Sequence, residues 1–194
     1  IMLDGITVYN PSHLGGVFSN FIVDGVKEAE LIKGAYNAEY GGRLSAVLNV
    51  ISREGNQKEF KGKANISLLS AQTTMEGPFY KGAWILSGRR TYFDLVLPKV
   101  LPDNIATNIP PYFFYDVQGH IFSDINSKDR LSLSYYTGID DIVFDTFGLD
   151  GRWGNNTISA HWRRVFSERL VGNFLAANSN FRTMFGLGGD GSKK

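Results

Sequence analysis

The sequence contains no cysteine, so disulfides, thiol nucleophiles and zinc–thiolate sites are excluded together. It has no apolar run near the roughly 18 residues that a membrane-spanning helix requires. An excess of one charge is also absent, because 20 Lys and Arg stand against 19 Asp and Glu, for a formal net charge of +1. This balance gives no indication of nucleic acid as a partner.

Signatures of catalysis and metal binding are equally scarce. No nucleophile motif such as Gly-x-Ser-x-Gly occurs, and His13, His120 and His161 are not spaced as metal ligands. The glycine-rich stretch 186–191 lacks the Lys and Ser/Thr of a phosphate-binding loop. We therefore predict no enzyme activity, no catalytic residue, no metal and no cofactor.

The composition favours a strand-rich protein. Glycine occurs 22 times and aromatic residues make up 13% of the chain, which is typical of strands joined by many turns. The chain opens at Ile1–Gly5 on what resembles the inside of a strand and carries no secretion signal. We expect a fragment whose export signal lies upstream.

Two sequence patterns meet near Gly55 and predict two domains, 1–55 and 56–194. Within the first, the charged segment 24–32 has the spacing of a short amphipathic helix that ends at Gly34. Residues 44–52 are rich in Val, Leu and Ile and predict a strand.

Beyond Gly55 the pattern has period two, and we count about seven strands. The dipeptide Gly77-Pro78 is a turn signal, and short polar turns are predicted at 126–129 and 167–169. Longer connections are predicted at 94–111 and 140–155. Short turns alternating with long loops, and aromatic residues near strand ends, are typical of transmembrane β-barrels.

Three segments of the first domain carry a family resemblance: Ile1–Pro11, Val26–Gly34 and Glu39–Ser52. In this order they resemble the second half of the plug domain of TonB-dependent outer-membrane receptors. The resemblance implies a mainly β protein, with an α+β plug segment followed by the first antiparallel strands of a barrel of about 22 strands. It also implies the outer membrane of a Gram-negative cell, and hence contact with outer-membrane lipid.

The resemblance further implies a function. Such receptors bind and import a scarce extracellular nutrient, commonly a metal-chelate, cobalamin, a glycan or a peptide. The energy comes from the TonB–ExbB–ExbD complex through a TonB box that lies outside this chain. A SusD-like lipoprotein is a partner in some branches of the family.

Site residues follow from the same resemblance. Gly34, Tyr40, Gly41 and Gly42 match the plug turn motifs, where glycine allows a positive φ or a close backbone approach. Candidates for ion pairs that gate the plug against the barrel wall are Glu30, Lys33, Glu39 and Arg43, although they could equally be solvated or act as static struts. Candidates for facing the substrate are Ala35, Tyr36, Asn37, His120 and His161.

Two loops remain open to interpretation. Residues 10–21, which include His13, could form another plug loop at the apex of the cavity. The acidic stretch Asp140, Asp141, Asp145 and Asp150 could bind calcium or could simply be solvated.

Two alternatives remain at this level. A soluble all-β module that binds a ligand or carbohydrate would carry no apolar band on one face of its sheet. A receptor used chiefly for signalling would need an additional N-terminal domain.

Overall fold

The computed structural model describes residues 1–34, 37, 40–42, 45–102, 104, 110–144 and 148–187. Within these ranges the chain is mainly β, as predicted. The short N-terminal elements are β1 (Met2–Leu3), β2 (Ile6–Thr7), β3 (Ser12–His13), β4 (Phe18–Ser19), β5 (Val26–Lys33) and β6 (Ala46–Ser52), with 3₁₀ turns at Leu14–Gly16 and Val23–Gly25. The later elements are β7 (Lys61–Ile66), β8 (Ser70–Phe79), β9 (Gly82–Thr91), α1 (Phe93–Val100), β10 (Tyr112–Asp124), β11 (Asp129–Phe144), β12 (Leu149–Ser167) and β13 (Leu170–Leu187).

The N-terminal segment, residues 1–55, contains a four-stranded sheet of order β2-β1-β6-β5. β1 runs parallel to β6, and β5 runs antiparallel to it. The predicted strand at 44–52 is therefore confirmed over Ala46–Ser52, where it pairs on both sides. A small cluster of Leu3, Val8, Phe21 and Val50 packs against Tyr136 of the second sheet.

The predicted helix at 24–32 is wrong. Val26–Lys33 is a strand that pairs with β6 over seven positions, with a bulge near Glu28. The spacing of Val26 and Ala29 suits a helix, but the backbone pairing with β6 decides the structure. This pairing joins residues that are distant in the sequence, so the residues of the segment alone do not predict it.

The second sheet has seven strands in the order β13-β12-β11-β10-β9-β8-β7, so each strand pairs with its neighbour in the chain. All of these pairs are antiparallel. This confirms the predicted strand count. The sheet is open and lies far from a closed barrel of about 22 strands.

The short polar turns lie near the predicted positions, but the predicted alternation with long loops holds only for 92–111, because the strands are longer than predicted. One end of the sheet, here called the short-turn end, carries the turns 80–81, 125–128 and 168–169. The opposite end carries 67–69, the segment 92–111 with α1, and 145–148. The predicted long loop at 140–155 is therefore wrong, because β11 and β12 continue through most of it.

The turn predicted at Gly77-Pro78 is also wrong, because β8 continues to Phe79 and pairs with β9. Proline lacks the N–H that a central strand needs. Pro78 is tolerated because β7 pairs with β8 only over 71–76, which leaves its other side without a strand partner.

The two faces of the seven-stranded sheet differ in polarity. The face that contacts the N-terminal segment, here called the inner face, is mainly polar. Its buried polar side chains are Thr74, Ser87, Asp116, Gln118, Ser134, Asp140, Asn155, Thr157 and Ser159, and they lie beside the buried side chains of Ala83, Ile85, Tyr112, Phe114, Phe122 and Tyr136. The outer face presents exposed apolar side chains, including Met75, Leu86, Leu131, Leu133, Ile158 and Phe174. This polarity is the reverse of that expected for a sheet of a soluble globular protein.

No helix in the described part of the chain is long and apolar enough to span a membrane.

Candidate functional site

The interface between the N-terminal segment and the inner face is the most elaborate polar site of the molecule. At its centre lies His13, which is 1% exposed. β3 and β4 form a small hairpin that pairs His13 with Phe18 and presses the imidazole against β10. The ring stacks on Phe114, with the ring centroids 4.0 Å apart and the planes 6° apart.

His13 bridges two carboxylates on neighbouring strands. Its Nε2 lies 2.8 Å from Asp116 Oδ1, and its Nδ1 lies 2.8 Å from Asp140 Oδ2. Both carboxylates are buried, and a carboxylate only accepts hydrogen bonds. With both carboxylates ionised, both ring nitrogens donate, which corresponds to the imidazolium form.

Both carboxylates also accept hydrogen bonds from other side chains. The Tyr136 hydroxyl donates to Asp116 Oδ1 at 3.0 Å, and Arg89 Nε donates to Asp116 Oδ2 at 2.9 Å. The Tyr112 hydroxyl donates to Asp140 Oδ1. Two positive and two negative groups thus form a closed, buried network that joins β3 to β9, β10 and β11.

The environment of His13 favours its charged form. Burial lowers the pKa of His13, but the hydrogen bonds to Asp116 and Asp140 and the negative charge of these carboxylates outweigh it and raise the pKa above the usual 6.5. The direction of this shift agrees with the double donation that the geometry requires.

Backbone contacts extend the interface on either side of this network. Asn155 Oδ1 accepts from the backbone N–H of Tyr9 at 3.2 Å and of Asn10 at 3.4 Å, and Asn155 Nδ2 donates to the Asn10 carbonyl at 2.7 Å. Gln118 Nε2 donates to Ser52 Oγ at 3.1 Å and to the Gly25 carbonyl at 3.3 Å. The inner face therefore recognises the backbone of the N-terminal segment as well as its side chains.

Ion pairs surround the interface at its rim. Asp24 pairs with Lys63 at 2.6 Å, Arg53 with Glu76 at 2.9 Å, and Glu54 with Arg130 at 3.0 Å. Their side chains are more exposed than His13, so each contributes about 1 kcal/mol at most.

The candidate gating residues lie elsewhere. Glu30 and Lys33 are exposed on β5, the edge strand of the four-stranded sheet, and among the described residues neither forms an ion pair with the second sheet. Glu39 and Arg43 lie outside the described residues. The ionic links that the structure shows come instead from His13, Asp24, Arg53 and Glu54, which the sequence-based analysis did not single out as linking residues.

The plug turn motif is placed in part. Gly34 and Gly42 have φ of +78° and +71°, as the glycine argument predicts. Neither would crowd a neighbour if it carried a Cβ, so the positive φ is the reason for glycine there. Tyr40 donates its backbone N–H to the Asn37 carbonyl at 3.0 Å, and Gly41 lies in the turn that follows.

The candidate substrate-facing residues separate into two groups. Ala35 and Tyr36 lie outside the described residues, and Asn37 is exposed. His120 and His161 line a common hollow of about 430 Å³ between the N-terminal segment and the inner face. His120 bonds Ser134 Oγ at 2.9 Å, and the hollow includes Arg130 near the short-turn end.

The two open loops are also clarified. Residues 10–21 do not form an exposed apex around His13, because His13 is buried against the sheet. In the acidic stretch, Asp140 faces inward to His13 while Asp141 pairs with Arg152 at 3.8 Å. The strand directs these two carboxylates to opposite faces. Asp145 lies outside the described residues, and the part of the chain that the structure describes contains no group of three acidic, His or Cys side chains placed to hold a metal ion.

The polar inner face could have been found from sequence, because Asp116, Gln118 and His120 alternate on one side of β10. The bridging role of His13 could not, because its partners lie 103 and 127 positions away. In comparisons with known proteins, no family model, no curated protein and no solved structure matches this chain.

Proposed function

We propose that this chain is part of a TonB-dependent outer-membrane receptor, with residues 1–55 as part of the plug and residues 56–194 as the first strands of the barrel. The observation that carries the proposal is the reversed polarity of the seven-stranded sheet. A polar inner face covered by a folded segment, together with an apolar outer face, suits a barrel whose lumen is plugged and whose outside meets lipid.

The connections support the same function. Turns of two to four residues lie at one end of the seven-stranded sheet. The other end carries the longest connection, 92–111, beside connections of three and four residues. In outer-membrane barrels the short turns face the periplasm and the longer loops face the outside. This direction puts α1 on the extracellular side, where a nutrient would be captured.

The chemistry of the plug interface suits a part that must move. The contacts between the N-terminal segment and the inner face include many hydrogen bonds and ion pairs, beside the apolar cluster around Tyr136. Polar groups that separate can bond to water, so their net contribution is only about 0.5–1.5 kcal/mol each, whereas separation of an apolar core has no such compensation. The hydrogen bonds and ion pairs therefore fix the position of the plug on the inner face, and a pulling force can still separate the two.

The nutrient is a scarce extracellular solute such as a metal-chelate, cobalamin, a glycan or a peptide, and import draws on the TonB–ExbB–ExbD complex. The protein contributes binding and a displaceable plug and performs no covalent chemistry. A soluble carbohydrate-binding module is disfavoured, because it would have to leave the apolar outer face in contact with water.

The test is fractionation of cells that express the full-length protein, followed by electrophoresis with and without boiling. Recovery in the outer membrane with a heat-dependent change in mobility is the expected result, because closed barrels resist detergent until heated. Nutrient uptake that is lost when TonB is deleted would support the transport function. Recovery in the soluble fraction without a mobility change would refute the proposal.

A further inference from the structure

Two arginines face each other in the hollow that His120 and His161 share. Arg130 and Arg163 both line this hollow near the short-turn end. They are directly opposite each other on β11 and β12, which puts their Cα atoms about 5 Å apart. Like charges in directly opposite positions destabilise a sheet, so this pair of arginines requires negative charge nearby.

Arg130 is held in a fixed orientation. Its guanidinium carbon lies 3.9 Å from the centroid of the Phe122 ring. Its Nη2 donates to Glu54 Oε2 at 3.0 Å, and its Nε lies 3.6 Å from Asp124 Oδ1. Stacking on the ring and bonding to two carboxylates together fix the plane of this guanidinium.

Arg163 has no such partners. Within the described residues it forms no ion pair, and its side chain is exposed. His161 lies two residues away on the same face of β12, and Ser132 is directly opposite His161 on β11. The guanidinium of Arg163 therefore borders a space whose wall also carries an imidazole and a hydroxyl.

The charges around the hollow balance only while the N-terminal segment is in place. The charged side chains that line the hollow, or pair with those that do, are three cations and three carboxylates: Lys27, Arg130, Arg163, Asp4, Glu54 and Asp124. Three of them, Asp4, Lys27 and Glu54, belong to the N-terminal segment. If that segment moves away, Asp124 alone opposes the two arginines, which leaves a formal excess of one positive charge.

Glu54 indicates which chemical group the arginines accept. Its carboxylate reaches across from the N-terminal segment and occupies one edge of the Arg130 guanidinium. A guanidinium offers several donors in a planar fork that matches a carboxylate. The hollow of about 430 Å³ has the size of an ordinary small-molecule site.

We propose that Arg130 and Arg163 form a binding site for a small solute that carries a carboxylate, which takes the place of Glu54 when the N-terminal segment moves. Both guanidinium groups donate to this carboxylate, and Ser132 and His161 offer hydrogen bonds to the remaining polar groups of the solute. The binding follows from the residues of the hollow alone. That the bound solute is the imported nutrient rests on the proposed function, in which the short-turn end faces the periplasm and the site lies on the exit side.

The test uses Glu54→Gln in the full-length protein, because the amide keeps the size of the side chain and removes the charge that competes for Arg130. The probes are glucuronate and glucose, which differ by a carboxylate in place of a hydroxymethyl group. Saturation-transfer NMR on the detergent-extracted protein measures the Kd of each. We expect Glu54→Gln to lower the Kd for glucuronate by about tenfold, since one charge-assisted bond becomes available, and to leave the Kd for glucose unchanged.

Two further variants assign the gain to the arginines. Arg163→Ala in the Glu54→Gln background should cancel the gain, because it removes the second guanidinium. Glu76→Gln is the matched control, since it also breaks an ion pair between the N-terminal segment and the sheet, that of Glu76 with Arg53. It should give no gain.

Four results would each overturn the site. These are an unchanged Kd for glucuronate in Glu54→Gln, an equal gain in Glu76→Gln, an equal gain for glucose, and a gain that persists without Arg163. The gain in Glu76→Gln would assign the effect to a general loosening of the N-terminal segment.

The heat-dependent mobility change is recorded on the same preparations. Absence of the glucuronate gain in a protein that still shows this change refutes the carboxylate site and leaves the proposed function intact. A gain in a protein without the mobility change supports the site but refutes the proposed function, and with it the role of the site in import.

Discussion

The hydroxyl of Tyr136 occupies the space that a side chain at Gly138 would need. Both residues lie on the inner face of β11, and Gly138 is directly opposite Asp116 on β10. The missing side chain lets the Tyr136 hydroxyl reach Asp116 Oδ1 at 3.0 Å. Gly138 is thus part of the network that binds His13, although it has no functional group of its own.

The substitution Gly138→Ala tests this arrangement. The added methyl group must displace the Tyr136 hydroxyl or the Asp116 carboxylate, which lies 2.6 Å from the methyl position. We expect a loss of about 1–3 kcal/mol in the free energy of unfolding, seen as a lower midpoint for the heat-dependent mobility change. Gly88→Ala is the control, because its nearest contact would be 3.9 Å away. Equal midpoints for the two variants would contradict the account.

Removal of the His13 side chain should loosen the N-terminal segment. In His13→Ala, Asp140 keeps only the Tyr112 hydroxyl and Asp116 loses one donor, while both remain buried. Breaking a buried pair in this way costs about 3 kcal/mol. We expect faster amide hydrogen exchange across residues 10–21 than in Val17→Ala, which truncates a side chain that is 68% exposed. Unchanged exchange in His13→Ala would refute the anchoring role.

The attachment of the N-terminal segment should depend on pH, with a defined sign. Because docking raises the pKa of His13, its contribution is complete below the unfolded pKa of 6.5 and is lost as the pH rises through the higher folded value. Hydrogen exchange in residues 10–21, corrected for the intrinsic rate, should therefore accelerate at alkaline pH.

His13→Gln is the control for this pH dependence, because an amide does not titrate in this range. The other charged groups that face His13 are Asp116, Asp140 and Arg89, and the phenols of Tyr112 and Tyr136 also lie in the network. A pH dependence that survives in His13→Gln would assign the effect to one of these groups instead.

A charge on the outer face should impair membrane insertion. Leu133 is 42% exposed on that face, and in the proposed barrel Leu133→Arg would put a guanidinium in the hydrocarbon at a cost of about 2–4 kcal/mol. The neighbouring Ser132 lines the hollow that His120 and His161 share between the N-terminal segment and the inner face, so Ser132→Arg should be tolerated better. Folding of the full-length protein into lipid vesicles, followed by the mobility change, measures the difference. The opposite ranking would contradict the assignment of the two faces.

The sequence was informative where the decisive pattern is local. The strand count and the short turns at 125–128 and 168–169 were predictable because period-two alternation and turn residues act over a few positions. Residues 140–155 were misinterpreted because Asp140 and Asn155 face the polar inner surface. A sequence rich in polar residues predicts a loop, unless it is known that the N-terminal segment covers these residues.

Other features depend on distant partners. β5 is a strand because β6 pairs with it, which its own residues do not reveal. The candidate gating residues Glu30 and Lys33 were chosen by resemblance, whereas the buried link depends on His13 and carboxylates more than 100 positions away. Such contacts require the three-dimensional structure, and the gating role of Glu30 and Lys33 stays a prediction.

The most direct test of the central claim is spin-label accessibility along β11. Single cysteines are introduced at consecutive positions from Leu131 to Thr137 of the full-length protein in lipid vesicles, and each label is exposed to oxygen and to a water-soluble relaxation agent. The account predicts period two, with labels at 131, 133 and 135 accessible to oxygen in the lipid and labels at 132, 134 and 136 shielded from it. Labels that show no alternation, or that meet water at 131, 133 and 135, would contradict a lipid-facing outer surface.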